Sequence, residues 1–229
     1  GQNTAIGSYA LNNFNVDGTN NNTAVGYSAG FSLTTGLNNT CIGSGAGDGL
    51  GTANDCVALG QGSLSAVATA DGTIAVGKNA LTLLAGGAGN TAIGYNAADG
   101  ITTGANNTII GFEAMSDAGG ATVLDSDYNT CVGARAMNGT WTTATSEYNV
   151  AIGGATMQGA MNDANYNVGI GFQTLSALTT GDNNICIGSR SGLSLTKGRY
   201  NTVIGDSALY TEDVGDRSVA IGYSALYYQ

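Results

Sequence analysis

A five-residue motif recurs thirteen times along the 229-residue chain. It reads NTAIG at 3–7 and NTAVG at 22–26, and it closes as NTVIG at 201–205 and SVAIG at 218–222. Its last residue is glycine in every copy: Gly7, Gly26, Gly43, Gly60, Gly77, Gly94, Gly111, Gly133, Gly153, Gly171, Gly188, Gly205 and Gly222. Eight of the twelve intervals between these glycines are 17 residues; the others are 19, 22, 20 and 18. A fixed period of this size marks an architecture in which each unit buries its apolar face only by stacking on the next. The longer intervals are then insertions, at 12–21, 116–128, 138–148 and 158–166, in a single solenoid domain spanning 1–229.

The motif has five slots with different chemistry. Slot one is asparagine in ten copies: Asn3, Asn22, Asn39, Asn90, Asn107, Asn129, Asn149, Asn167, Asn184 and Asn201. Slot two is always Thr, Val or Ile, slot four Ile, Val or Leu, and slot three is mostly Ala, with Cys41, Ile109, Cys131, Gly169, Cys186 and Val203 as variants. β-Branched residues two apart describe a short strand. An invariant glycine marks a backbone position with positive φ or no room for a side chain. Beyond it come a second short apolar stretch and a Gly/Asn/Thr turn such as TTG at 34–36. Seventeen residues are too few for a βαβ unit, which needs about 30, and 38 glycines disfavour helix. One strand per period therefore predicts an all-β parallel solenoid of about thirteen coils, at roughly 4.8 Å per coil a rod on the order of 60 Å long. Asparagines repeated at one slot are expected to hydrogen-bond up the stack as an amide ladder.

Slots two and four face one way and slot three the other, and neither set is polar enough to be a solvated face. One side fills the coil interior; the spacing leaves open which. The other needs cover that a thin coil cannot supply, so further copies of the same chain are expected to supply it, as a symmetric homo-oligomer along the rod axis.

NTAIGSYAL, NTAVGYSAG and SVAIGYSAL resemble the head repeats of YadA-like trimeric autotransporter adhesins. NTAIGYNAADGITTGANNT at 90–108 resembles repeats of phage tail-fibre proteins more closely still. The resemblance spans essentially the whole chain. It implies a homotrimer of left-handed parallel β-rolls; the handedness and the number three come from the family alone. It also implies a virion tail fibre, or alternatively a bacterial cell-surface adhesin, with a host surface glycan or receptor and other fibre or tail proteins as partners. The 17-residue coil exceeds the tight coil of the bacterial heads, which favours the tail-fibre branch. Within either branch the stretch could be a spacer shaft without ligand. With no initiating Met, no signal-peptide pattern and no transmembrane run, the chain is expected to be a segment of a longer fibre, without membrane insertion.

Charge and cysteine usage narrow the partners. Six basic against sixteen acidic residues give a net charge of −10, which repels phosphate backbones, so no nucleic-acid partner is expected. Cys41, Cys131 and Cys186 stand where other copies have Ala, too far apart to bond, while Cys56 occupies slot one, two residues out of register with Cys41. That offset is roughly 8 Å between Cα atoms, beyond the usual disulfide limit of about 7 Å. All four are expected to be buried free thiols, which suits assembly in a reducing cell. The absence of histidine removes Ser-His and Cys-His catalysis, and glycine-rich strings such as GSGAGDG at 43–49 are solenoid corners rather than phosphate loops. A carboxylate pair among Asp117, Asp125, Asp127, Glu147 and Asp163 could in principle cleave a glycoside, but turn-forming acids account for these positions. No enzyme activity, cofactor or metal site is expected.

Any ligand is expected at the insertions. Three consecutive ones should stack into one patch that carries the chain's single tryptophan, Trp141. Each ends in a tyrosine directly before slot one: Tyr128, Tyr148 and Tyr166. With Asp125, Asp127, Glu147 and Asp163 they form a candidate glycan or receptor patch, since sugars need aromatic surface and polar groups that bond hydroxyls. The plainer reading is that the tyrosines cover the strand edge and Trp141 plugs its own loop.

Overall fold

The computed structural model describes residues 2–15, 20–66, 69–116, 125–140 and 145–228. Every motif copy becomes a three-residue strand: β1 (Thr4–Ile6), β2 (Thr23–Val25), β3 (Thr40–Ile42), β4 (Val57–Leu59), β5 (Ile74–Val76), β6 (Thr91–Ile93), β7 (Thr108–Ile110), β8 (Thr130–Val132), β9 (Val150–Ile152), β10 (Val168–Ile170), β11 (Ile185–Ile187), β12 (Thr202–Ile204) and β13 (Val219–Ile221). Each pairs in parallel with the next, giving one thirteen-stranded sheet in sequence order. The chain is a parallel β-solenoid with a basic repeat of 17 residues, and the described residues contain no helix.

Slot pairs with slot throughout. Thr91, Ala92 and Ile93 lie opposite Thr108, Ile109 and Ile110. The 22-residue interval leaves this intact, with Thr108 opposite Thr130. The strands on either side of each insertion therefore keep the same register.

Slot three points inward. Ala24, Cys41, Ala58, Ala92, Ile109, Cys131 and Cys186 are all but inaccessible. They meet the Ala, Ser or Thr three residues past the motif glycine, the Leu or Met four past it, and the Leu or Ile seven past it, such as Leu33, Leu84 and Leu195. Small residues at slot three let the coil close tightly, and the longer chains opposite fill the space. Slots two and four consequently stand outside. Burying a side chain such as Leu84 contributes about 1.5–3 kcal/mol, and nearly every coil repeats that contribution.

The second apolar stretch is not a strand. Residues two and four past the glycine adopt left-handed backbone, as does the residue before slot one; in the sixth coil these are Asn96 (φ 49°), Ala98 (φ 55°) and Asn106 (φ 58°). Such conformations cost non-glycine residues about 1–3 kcal/mol each and persist only where surroundings enforce them. The enforcement is inter-coil hydrogen bonding. Asn96 and Asn106 donate their amides back to the carbonyls of Lys78 and Ala88, and Ala98 donates forward to Ala114, all at 2.9–3.0 Å. The alternating handedness brings two adjacent residues, Ala97 and Ala98, into the core together.

Slot one builds the amide ladder. Asn149 Oδ1 accepts both the backbone N–H and the side-chain Nδ2 of Asn167, at 2.9 and 3.1 Å. Its own Nδ2 donates to Asn129 Oδ1 and to the Ala164 carbonyl. The ladder runs unbroken from Asn90 to Asn201. Below it, Cys56 takes the slot and turns its Sγ to the Ala70 carbonyl at 3.2 Å, whereas the buried Thr73 hydroxyl has no partner.

Candidate functional site

The left-handed position before slot one carries the three tyrosines, with φ of 58° at Tyr128, 57° at Tyr148 and 59° at Tyr166. This conformation swings each ring outward at the same height on consecutive coils. The rings stack at 4.9 and 5.0 Å between centroids, with interplanar angles of 4° and 1°. The column thus offers solvent its ring edges and hydroxyls, because each inner face is covered by the next ring. The Tyr148 phenol is pushed above its ordinary value, first by the water it loses between its neighbours, then by the negative charge of Tyr128, Tyr166, Glu147 and Asp127 around it.

Two of the sequence-predicted acids, Asp127 and Asp163, have local partners. Asp127 Oδ1 accepts the Ala105 N–H at 2.5 Å. Asn165, Asp182 and Asp216 serve the backbone of Glu147, Asn165 and Arg199 in the same way, each reaching one coil back. Asp163 accepts from Asn165 Nδ2 at 3.0 Å, and Asp125 is exposed. Glu147 is half-buried next to the stack. The structure therefore brings Tyr128, Tyr148, Tyr166, Asp127 and Glu147 together. Trp141 and Asp117 lie outside the described residues. Among the described residues no three His, Cys, Asp or Glu side chains gather into a metal-ligand group.

A second feature escapes the sequence pattern. Asn96, Asp99, Glu113, Ser116, Arg135, Asn138 and Gln158 line a shallow polar groove of about 410 Å³ that crosses four coils. They come from the positions two and five past the motif glycine, so the groove follows the stack. Arg135 bridges to Glu113 at 2.9 Å, and its guanidinium lies 5.9 Å from the Phe112 ring, which stacks on Tyr95 at 5.4 Å. Ser116, Asn138 and Gln158 are where the three insertions depart, so the groove meets their bases. Aligning the copies column by column would have revealed it; attention to single conspicuous residues does not.

No protein-family model, no curated protein and no solved structure matches the chain.

Proposed function

We propose that the chain is a structural and adhesive segment of a trimeric viral (phage) tail fibre, which mediates or supports attachment to the host-cell surface. One observation carries this reading: the outer face of the sheet. Slots two and four of thirteen in-register strands turn Thr, Val, Ile and Leu outward, leaving Ile42, Leu59, Ile93, Ile110, Ile152 and Ile204 between 37 and 41% exposed. At about 4.8 Å per strand and about 7 Å between alternate residues, allowing for side-chain width, the stripe covers on the order of 600 Å². That is the upper end of what a soluble monomer leaves uncovered. A second and third copy of the same stripe match it in length, chemistry and periodicity. The resemblance of the repeats to tail-fibre sequences supplies the number three and the viral setting.

The proposed role is attachment rather than catalysis. Host glycans or receptors would meet the polar groove and the tyrosine column, both of which lie around the insertions. The head of a bacterial trimeric autotransporter adhesin is the alternative with the same architecture. The four buried free thiols favour assembly in a reducing cell, hence the virion. A plain spacer shaft is the reading that remains if no surface ligand binds.

Light scattering on the intact chain tests the assembly. The expected mass is three times 22.7 kDa. Lysines introduced together at Ile93 and Ile152 should dissociate the particle or make it insoluble, while lysine at exposed Tyr95 should not. A monomeric wild type would sink the proposal.

A further inference from the structure

The first three coils hold an aromatic pocket that neither the repeat nor the attachment reading requires. Tyr9, Tyr27, Ser28, Phe31 and Asp48 line a cavity of about 370 Å³, within the range of small-molecule pockets, roughly 300–1,000 Å³. Its rings are arranged differently from the tyrosine column. Tyr9 stands at 88° to Tyr27 and at 72° to Phe31, with centroids 5.9 and 6.4 Å apart. Near-perpendicular rings leave faces uncovered where parallel stacked rings do not. Tyr9 and Tyr27 are each more than half exposed.

The pocket also contains a carboxylate with one partnerless oxygen and no counter-ion. Asp48 Oδ1 is buried and has no hydrogen-bond partner. Burial raises its carboxyl above the ordinary carboxylate range, against the backbone N–H groups of Asp48 and Gly49 that pull it down. No basic side chain is near in sequence: the first Lys or Arg of the chain is Lys78, so residues 1–77 contain none. A half-buried carboxylate gains from a counter-charge, and residues 1–77 supply no cation.

We propose that this pocket binds an alkylated ammonium ion, a trimethylammonium head group, held on the faces of Tyr9, Tyr27 and Phe31 with Asp48 as counter-charge. A quaternary ammonium is weakly hydrated and spreads its charge over methyl groups, which suits aromatic faces. A hard metal ion needs several oxygen ligands, and the pocket has one carboxylate. A neutral ligand would leave Asp48 without a counter-charge. The inference does not depend on the oligomeric state or on the viral reading.

The test is titration of the full chain with choline, followed by NMR shifts of the tyrosine ring protons. Saturable binding is expected, and the uncharged isostere 3,3-dimethyl-1-butanol should bind at least about tenfold more weakly. Asp48→Asn and Tyr27→Leu should each lower choline affinity about tenfold or more with unchanged melting temperature. Phosphocholine and Nε-trimethyl-lysine carry the same head group, and the tighter of the two names its source. The proposal is overturned by no saturable binding, by equal binding of the neutral isostere, or by unchanged affinity in both variants.

Discussion

A side-chain carbon placed on Gly47 would lie 2.5 Å from the sulfur of Cys41. Cys41 fills slot three, where most copies have Ala, and Gly47 fills the position four past the motif glycine, where most have Leu or Met. Cys186 and Gly192 repeat the pairing, with the corresponding carbon 3.0 Å from the sulfur. In these two coils the sulfur on the strand occupies the space that a side chain four past the glycine would need. Gly47 has φ of 59°, but Ala98 adopts 55° at the equivalent position, so the backbone alone does not forbid alanine. Gly47→Ala should therefore cost about 1–3 kcal/mol by overpacking. Cys41→Ala in the same chain should recover most of it, although the Leu50 methyl at 2.8 Å must still rotate away. A thermodynamic cycle measured by urea denaturation checks this; additive single effects would refute the packing argument.

The motif glycine has two reasons to exist, and the last coil separates them. On Gly94 (φ 146°) a Cβ would sit 2.1 Å from the Gly111 carbonyl oxygen, and backbone cannot yield as a side chain can. Gly222 has the same left-handed backbone, φ 124°, but nothing stacks above it within 4 Å. Gly94→Ala is expected to disrupt the stack, costing more than about 3 kcal/mol or preventing folding, whereas Gly222→Ala carries only the backbone strain of about 1–3 kcal/mol. Thermal melts of the two variants distinguish the cases. Equal losses would mean that φ, not the collision, selects glycine.

The amide ladder predicts one loss and one gain. Asn149→Ala removes the acceptor of the Asn167 N–H and the donor to the Ala164 carbonyl, both buried. Leaving such groups unpaired costs about 1–3 kcal/mol each. Thr73 occupies the same slot in the fifth coil with its hydroxyl unpartnered, although Asn90 begins a complete ladder one coil further on. Thr73→Asn should extend the ladder downward and raise stability by about 1 kcal/mol. Denaturation midpoints measure both, and a destabilised Thr73→Asn would show that the slot there cannot accept an amide.

How far the chain could be read before folding follows from what repeats. The strands, the in-register stacking and the asparagine ladder were legible because each recurs in the same slot, and a stack is nearly one-dimensional. Which strand face turns inward was not, since Ala and Cys at slot three and Ile and Thr at slots two and four are both compatible with burial. Residue size contributes: slot three is mostly Ala or Cys, which leaves room inside the coil for the Leu and Met across from it. The left-handed corners at residues such as Met115, Leu175 and Tyr166 defied propensity, because inter-coil hydrogen bonds outweigh the intrinsic cost. The tyrosine column was visible as Tyr128, Tyr148 and Tyr166, but the covering of each ring by the next requires coordinates. The polar groove and the Tyr9–Asp48 pocket draw residues from several coils at offsets that no linear scan singles out.

The four free thiols set an alkaline limit on stability. Burial raises Cys41 and Cys186 to about 12, and raises Cys131 and Cys56 as well. In the unfolded chain these thiols ionise near their ordinary value, about 8.5. Between that value and about 12 the folded state holds protons that the unfolded state has lost, so stability falls as pH rises. The contribution is complete below the ordinary thiol pKa and is lost progressively above it, at about 1.4 kcal/mol per thiol per pH unit. Denaturation midpoints at pH 8 and pH 10.5, at one protein concentration, should fall much less for a chain carrying Cys41→Ala, Cys131→Ala and Cys186→Ala. Alanine is the usual residue at this slot, so the variant should fold. Every other group is common to the two chains and cancels in the comparison. The same burial should hold the wild-type thiols unreactive toward a thiol reagent at pH 8 until denaturant is added. A pH dependence identical in the two chains would mean that the interior admits hydroxide or water to the sulfurs, contrary to the dry packing of the coil.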